Sequence, residues 1–170
     1  MKTTFASLSS ILFLSSCAAM DAGPSATAAL RPASGREAHG QVKFTQVGTN
    51  SVRVIGWIGG HHPGARGFHI HEKGDCSAPD AMSAGGHFNP AKAKHGGSTT
   101  TGHAGDMGNL VFDDFGRTKI DMVLEGLSVT RDAPNGIIGR AIVLHMEADD
   151  LKTDPTGNAG GRAACGVIGL

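Results

Sequence analysis

The chain has 170 residues with 15 basic and 15 acidic side chains, long enough for one domain with a real core and too short for two ordinary ones. The balanced charge argues against a nucleic-acid partner, because phosphate binding needs a basic excess. With 26 Gly and seven Pro the sequence is rich in turn formers, and nine His against one Trp and no Tyr is a surplus of imidazole in search of a use.

In chain order, Lys2 and the apolar run from Phe5 to Leu14 give residues 1–16 the layout of a secretory signal. The run is too short to span a bilayer. Leu14-Ser-Ser-Cys17 resembles the lipobox of bacterial lipoproteins, in which the cysteine is acylated and becomes the new N-terminus. An ordinary signal with Cys17 discarded is the alternative. Three cysteines in an exported chain otherwise leave one thiol over; with Cys17 acylated, Cys76 and Cys165 can form one disulfide in an oxidising compartment. The expected location is the periplasm, with a lipid anchor at Cys17 as the sole membrane contact and Ala18 after it favouring the outer membrane. Loss of residues 1–16 removes Lys2 and no acid, which leaves the mature chain near −1. Residues 17–28 are small and read as a flexible tether, and residues 29–170 as one folded domain.

Short extended runs follow. Gln41–Val47 and Ser51–Ile58 flank Gly48-Thr-Asn50, and Val52 and Val54 alternate with Ser51 and Arg53 in the period-two manner of a half-buried strand, which predicts a hairpin. Ala26–Arg31, overlapping the end of the tether, Gly67–His71, Asn109–Phe112, Arg117–Val123, Gly139–His145 and Ala164–Ile168 complete a set of eight strands. No helical periodicity competes. Eight short strands between Gly-rich turns predict an all-β fold, a Greek-key sandwich or flattened barrel. Two connections, Glu72–Gly108 and Met146–Gly161, are too long for turns and are where function is expected.

The first of these holds most of the histidines. His69 and His71 stand two apart on a strand, so both rings leave the same face. His87, His95 and His103 recur every eight residues, Asp106 follows, and His145 ends a late strand. Six imidazoles and a carboxylate exceed the needs of one four-coordinate ion and point to two metals; imidazole suits copper or zinc, and the added carboxylate suits zinc. His39, His61 and His62 read as solvated loop residues.

The blocks Gly67-Phe-His-Ile-His-Glu-Lys-Gly-Asp-Cys76, Ser83-Ala-Gly-Gly-His-Phe-Asn-Pro90, His103-Ala-Gly-Asp-Met-Gly-Asn109, Gly139-Arg-Ala-Ile-Val-Leu-His145 and Gly157-Asn-Ala-Gly-Gly-Arg-Ala-Ala-Cys-Gly-Val-Ile168 together resemble copper/zinc superoxide dismutase, of the bacterial exported type, from about Ala26 to Leu170. The resemblance implies copper on His69, His71, His87 and His145, and zinc on His87, His95, His103 and Asp106, with His87 bridging. It further implies that Asp149 ties the ring of His69 to that of His95, that Arg162 stands beside the open copper position, and that Cys76 pairs with Cys165. The implied substrate is the superoxide anion, taken to dioxygen and hydrogen peroxide at copper; zinc would position His87, which passes a proton to the nascent peroxide, and Arg162 would receive the anion.

Two departures from eukaryotic members stand out: the interval from Cys76 to His87 is longer, and the connection from His145 to Arg162 is shorter. The latter carries Glu147, Asp149, Asp150 and Asp154 against Lys152 alone, so Lys92, Lys94 and Lys152 are the remaining candidates for steering superoxide. Subunit contacts differ between the types, which leaves a homodimer open. A non-catalytic copper-binding module of the same fold would be expected to lack a ligand or the arginine, and all seven ligands and Arg162 are present. A zinc hydrolase would need a general base, and Glu72, the one glutamate in the matching blocks, follows His71 onto the opposite face.

Overall fold

The computed structural model describes residues 23–170; the signal segment and Cys17 lie outside the described residues. Eight strands form: β1 Ser25–Pro32, β2 His39–Gly48, β3 Ser51–Gly59, β4 Gly64–His71, β5 Asp106–Phe112, β6 Arg117–Glu125, β7 Ala141–His145 and β8 Arg162–Val167. These are the eight expected strands, with borders moved by up to three residues. The tether is corrected at its end. Ser25 to Ala28 belong to β1 and pair with Thr45 to Val42 of β2. Their small side chains look like linker composition, yet the alternation is that of a strand, and Ala26, Ala28 and Leu30 enter the core.

All strand pairs are antiparallel, in the order β5-β4-β7-β8-β1-β2-β3-β6. The crossovers that pair β1 with β8, β3 with β6 and β4 with β7 make the topology a Greek key, and the sheet curls until β5 and β6 nearly close it into a barrel. Phe44, Val54, Ile58, Phe68, Ile70, Ile142 and Leu144 fill the interior.

Strand alternation then decides where the histidines go. On β4, Phe68 and Ile70 face the core, so His69 and His71 leave the opposite face; β7 likewise sends Ile142 and Leu144 inward and aims Val143 and His145 the other way. An outward histidine on a bare sheet would be wet. Here both strands are buried on both faces at this end, because the long connections lie across them.

The first connection runs from Glu72 to Gly105 with a single short 3-10 turn, Met82–Ala84. The second covers Met146–Gly161, as expected. A third, residues 126–140, is equally irregular and was not singled out in the sequence. It is structural: Leu127, Val129 and Ile137 plug one end of the core, and Gln46 Oε1 accepts a hydrogen bond from Val129 N at 2.6 Å.

The Cys76–Cys165 disulfide is present, with Cα atoms 5.8 Å apart. It fastens the first connection to β8 over a small cluster of Ala81, Ala84, Ala141 and Val143. A cross-link spanning 89 residues restricts the unfolded chain by about 4 to 5 kcal/mol in the loop-entropy account. Cys76→Ser is therefore expected to lower the thermal midpoint by roughly 10 °C or more with metals saturating. Calorimetry of the two proteins checks this, and equal midpoints would contradict it.

Candidate metal centre

The six histidines and Asp106 converge on two adjoining points. One ligand atom from each of His69, His71, His87 and His145 lies within 4.8 Å of the others, and the same holds for His87, His95, His103 and Asp106. Every member is buried, and His87 belongs to both groups. His69 and His71 come from β4, His145 from the end of β7, and the rest from the first connection.

In four of the rings, those of His69, His71, His95 and His145, the nitrogen not aimed at these points is hydrogen-bonded, which fixes the tautomer. His71 Nδ1 donates to Gly85 O at 2.9 Å and His145 Nδ1 to Gly160 O at 3.3 Å. Their Nε2 atoms, left with lone pairs, face each other at 3.3 Å. Two lone pairs at that distance repel unless a cation sits between them. His69 and His95 donate from Nε2 to the two oxygens of Asp149, at 2.7 and 2.9 Å. Their Nδ1 atoms, and Nε2 of His87, are buried without a hydrogen-bond partner. Buried orphan nitrogens are costly in a folded protein. A fourth orphan, His61 Nε2, lies elsewhere, but these three all lie in the ligand groups, so the donor sets fit a pair of imidazole-seeking cations, the second with a carboxylate.

Asp106 fits the second point. Its Oδ1 lies 2.8 Å from His87 Nδ1 and 3.2 Å from His103 Nδ1, while Oδ2 lies 3.1 Å from His95 Nδ1 and accepts from the backbone N–H of Gly96 and His103 at 2.9 and 2.8 Å. Burial raises the pKa of this carboxyl, but these donors outweigh it and the net shift is downward. Asp149 behaves alike: burial pushes it up, and hydrogen bonds from His69, His95 and Leu151 N bring it down to about 2. Three histidines of the first group, His69, His71 and His145, shift downward. Burial lowers His69 to about 4 against the opposing pull of Asp149, takes His145 to about 3 and sets His71 well below its ordinary value. All three are neutral at pH 7, the form that ligates.

Arg162 opens β8 and is half-buried. Its guanidinium donates to the carbonyls of Ala81 and Gly85. It shares the Gly85 carbonyl with His71, which places it beside the first donor group. Gly85 O thus receives both Arg162 and His71, and the segment that carries it is the one the disulfide holds.

Two further residues hold the centre and were not singled out in the sequence. Asn109 clamps the main chain of Asp149 on both sides, accepting from its N–H at 2.8 Å and donating to its carbonyl at 2.9 Å. Gly157 has φ +64°, and a Cβ there would collide with the Asp149 carboxylate and the His95 ring. Both stand in blocks that carry the family resemblance, but nothing in their residue type marks a role.

Other expectations need adjustment. His39 and His62 are exposed, as expected of solvated residues, although His39 begins β2 and meets the edge of Trp57. His61 is not a solvated loop residue. It is half-buried, packs on Phe112 at 5.3 Å and accepts at Nδ1 from Arg66 Nε at 3.0 Å. None of the three joins a ligand group. Lys92, Lys94 and Lys152 are exposed and form no ion pair among the described residues. The acids of the second connection are largely occupied: Asp150 accepts from Thr153 and Asn158, and Asp154 Oδ1 from His95 N at 2.6 Å. Glu72 is exposed, with its carboxylate turned to Gly86 N.

A family profile for copper/zinc superoxide dismutase matches residues 38–168. Among solved structures, that of the clock protein EA4 is 47% identical, covering 86% of this chain and 94% of its own, with a TM-score of 0.76.

The depressed histidines predict an acid-sensitive metal-free protein. His69 and His145 bind protons more readily unfolded, near 6.5, than folded, at about 4 and about 3. Their contribution to stability is therefore complete above about pH 6.5 and is lost as the pH falls toward 4 and 3, roughly 3 kcal/mol for His69 alone. Denaturant midpoints of the chelated protein should drop steadily from pH 7 to pH 4.5. A flat profile would contradict the assignment.

Proposed function

The chain belongs to the copper/zinc superoxide dismutase family, and on that footing we propose that it disproportionates superoxide to dioxygen and hydrogen peroxide, with copper on His69, His71, His87 and His145 and zinc on His87, His95, His103 and Asp106. The observation that carries the proposal is the double membership of His87. Its Nε2 is orphaned in the first group, while its Nδ1 lies against Asp106 in the second.

Bound at these points, copper supplies a one-electron redox change and zinc a fixed charge with none. The chain's residues supply the rest. Arg162, on two carbonyls beside the first group, offers a positive charge to a diatomic anion; its guanidinium stays ionised although burial lowers its pKa. His87 can hold a proton at Nε2 and give it to the peroxide being formed, while its Nδ1 remains on the Asp106 side. Asp149 keeps the rings of His69 and His95 in one tautomer and orientation.

A second reading, a copper-binding module without turnover, draws its support from the relative named as a clock protein. Superoxide removal measured with copper and zinc content on the same sample separates the two: copper-loaded protein that removes no superoxide overturns the dismutase. Within the dismutase reading, Arg162→Ile should slow capture by about ten-fold and show a shallower fall of rate with ionic strength, since a local guiding charge is screened over about 10 Å at 0.1 M. Equal salt slopes at matched copper would mean that Arg162 does not guide the substrate. His145→Ala should abolish turnover while zinc is retained.

We further propose export and acylation at Cys17, supported by the lipobox-like Leu14 to Cys17. Cys17→Ala expressed in a Gram-negative host should leave the membrane fraction for the soluble periplasmic one. Unchanged partitioning would refute the anchor.

A further inference from the structure

Away from the metal centre, a cleft of about 980 Å³ opens where the end of β3 meets the β5–β6 turn. Its walls are apolar and, for a surface, unusually bare: Trp57 is 49% exposed, Val111 70% and Phe115 79%. Phe115 stands at the tip of a turn, where a polar residue would cost nothing. The guanidinium of Arg117 lies over its ring at 5.0 Å from the centroid. Lys119 sits directly across from Trp57 in the β3–β6 register and forms no ion pair among the described residues. Asp113, the one acid in the lining, is committed to the turn: Oδ1 accepts from Phe115 N and Arg117 N at 3.0 and 2.9 Å, and Oδ2 lies 3.7 Å from Arg117 Nε. The cleft therefore presents two aromatic faces with a surplus of positive charge at the rim.

We propose that this cleft binds a small amphipathic anion, an aromatic or acyl carboxylate or sulfonate, with its apolar body between Trp57 and Phe115 and its charged head on Lys119 and Arg117. Volume, apolar walls and a few convergent polar groups are the ordinary make-up of a ligand site, and the cations select the charge of what enters.

Trp57 is the only tryptophan, so its emission reports the cleft directly. Titration of the metal-loaded mature protein with 8-anilinonaphthalene-1-sulfonate should quench Trp57 saturably, at one molecule per chain, and sodium decanoate should reverse the quenching. Lys119→Glu, at an exposed strand position, should weaken binding by about ten-fold, and Phe115→Ser by a similar factor, with thermal midpoint and metal content unchanged in both. The proposal is overturned by unaltered emission, by equal affinity in Lys119→Glu, or by equal competition from the uncharged N-phenyl-1-naphthylamine. It is also overturned if phosphatidylglycerol vesicles alone produce the response, which would make the cleft a membrane contact. Sedimentation showing a dimer that Phe115→Ser dissociates would assign the cleft to a second copy of the chain instead.

Discussion

A carboxylate that stays charged while fully enclosed governs this molecule. Asp149 has a side chain with no exposed surface, and both its oxygens are spent on imidazole N–H groups from opposite sides of the centre. An enclosed charge persists only when its lone pairs are satisfied. Much of the surrounding detail serves that condition: Leu151 N adds a third donor, Asn109 fixes the main chain, and Gly157 leaves room where any side chain would intrude. Because Asp149 touches His69 on β4 and His95 on the first connection, one group sets the rings of both metal points at once.

The strands contribute something simpler. They turn an alternating sequence into a one-sided array, and they give the array its rigidity by burying the other side. His69, His71 and His145 are therefore held by the same packing that places Phe68, Ile70 and Leu144 in the core. The connections are held differently. The second is stitched by its own acids, with Asp150 and Asp154 accepting backbone and side-chain donors, and since such donors favour the ionised carboxylate the stretch keeps its negative charge while that charge holds its shape.

Strand positions and ligand residues were legible because each obeys a local rule: period-two alternation for Val52 and Val54, one face for His69 and His71, a surplus of imidazole for the set. What escaped the sequence acts through the main chain. Asn109 matters for its grip on two backbone atoms of a residue 40 positions away, and Gly157 for an empty volume, neither of which a side-chain inventory registers. Ser25 to Ala28 misled in the opposite direction, since small residues suit a linker and a tightly packed strand equally until the register is known. His61 is the same lesson on the surface side, its ring hidden by Phe112 and Arg66, which lie far from it or unremarked in the sequence.

The carbonyl of Gly85 has two tenants, the ring of His71 and the guanidinium of Arg162. The placement of a ligand ring and that of the neighbouring guanidinium are thereby geared to one atom of the backbone, and that atom rides on the segment tied down at Cys76. Wear at this segment, whether by a substitution, a clipped bond or a lost cross-link, would not erode the two properties one after the other. They would decline in step, so that a worn copy loses the ring and the arginine together instead of keeping one without the other.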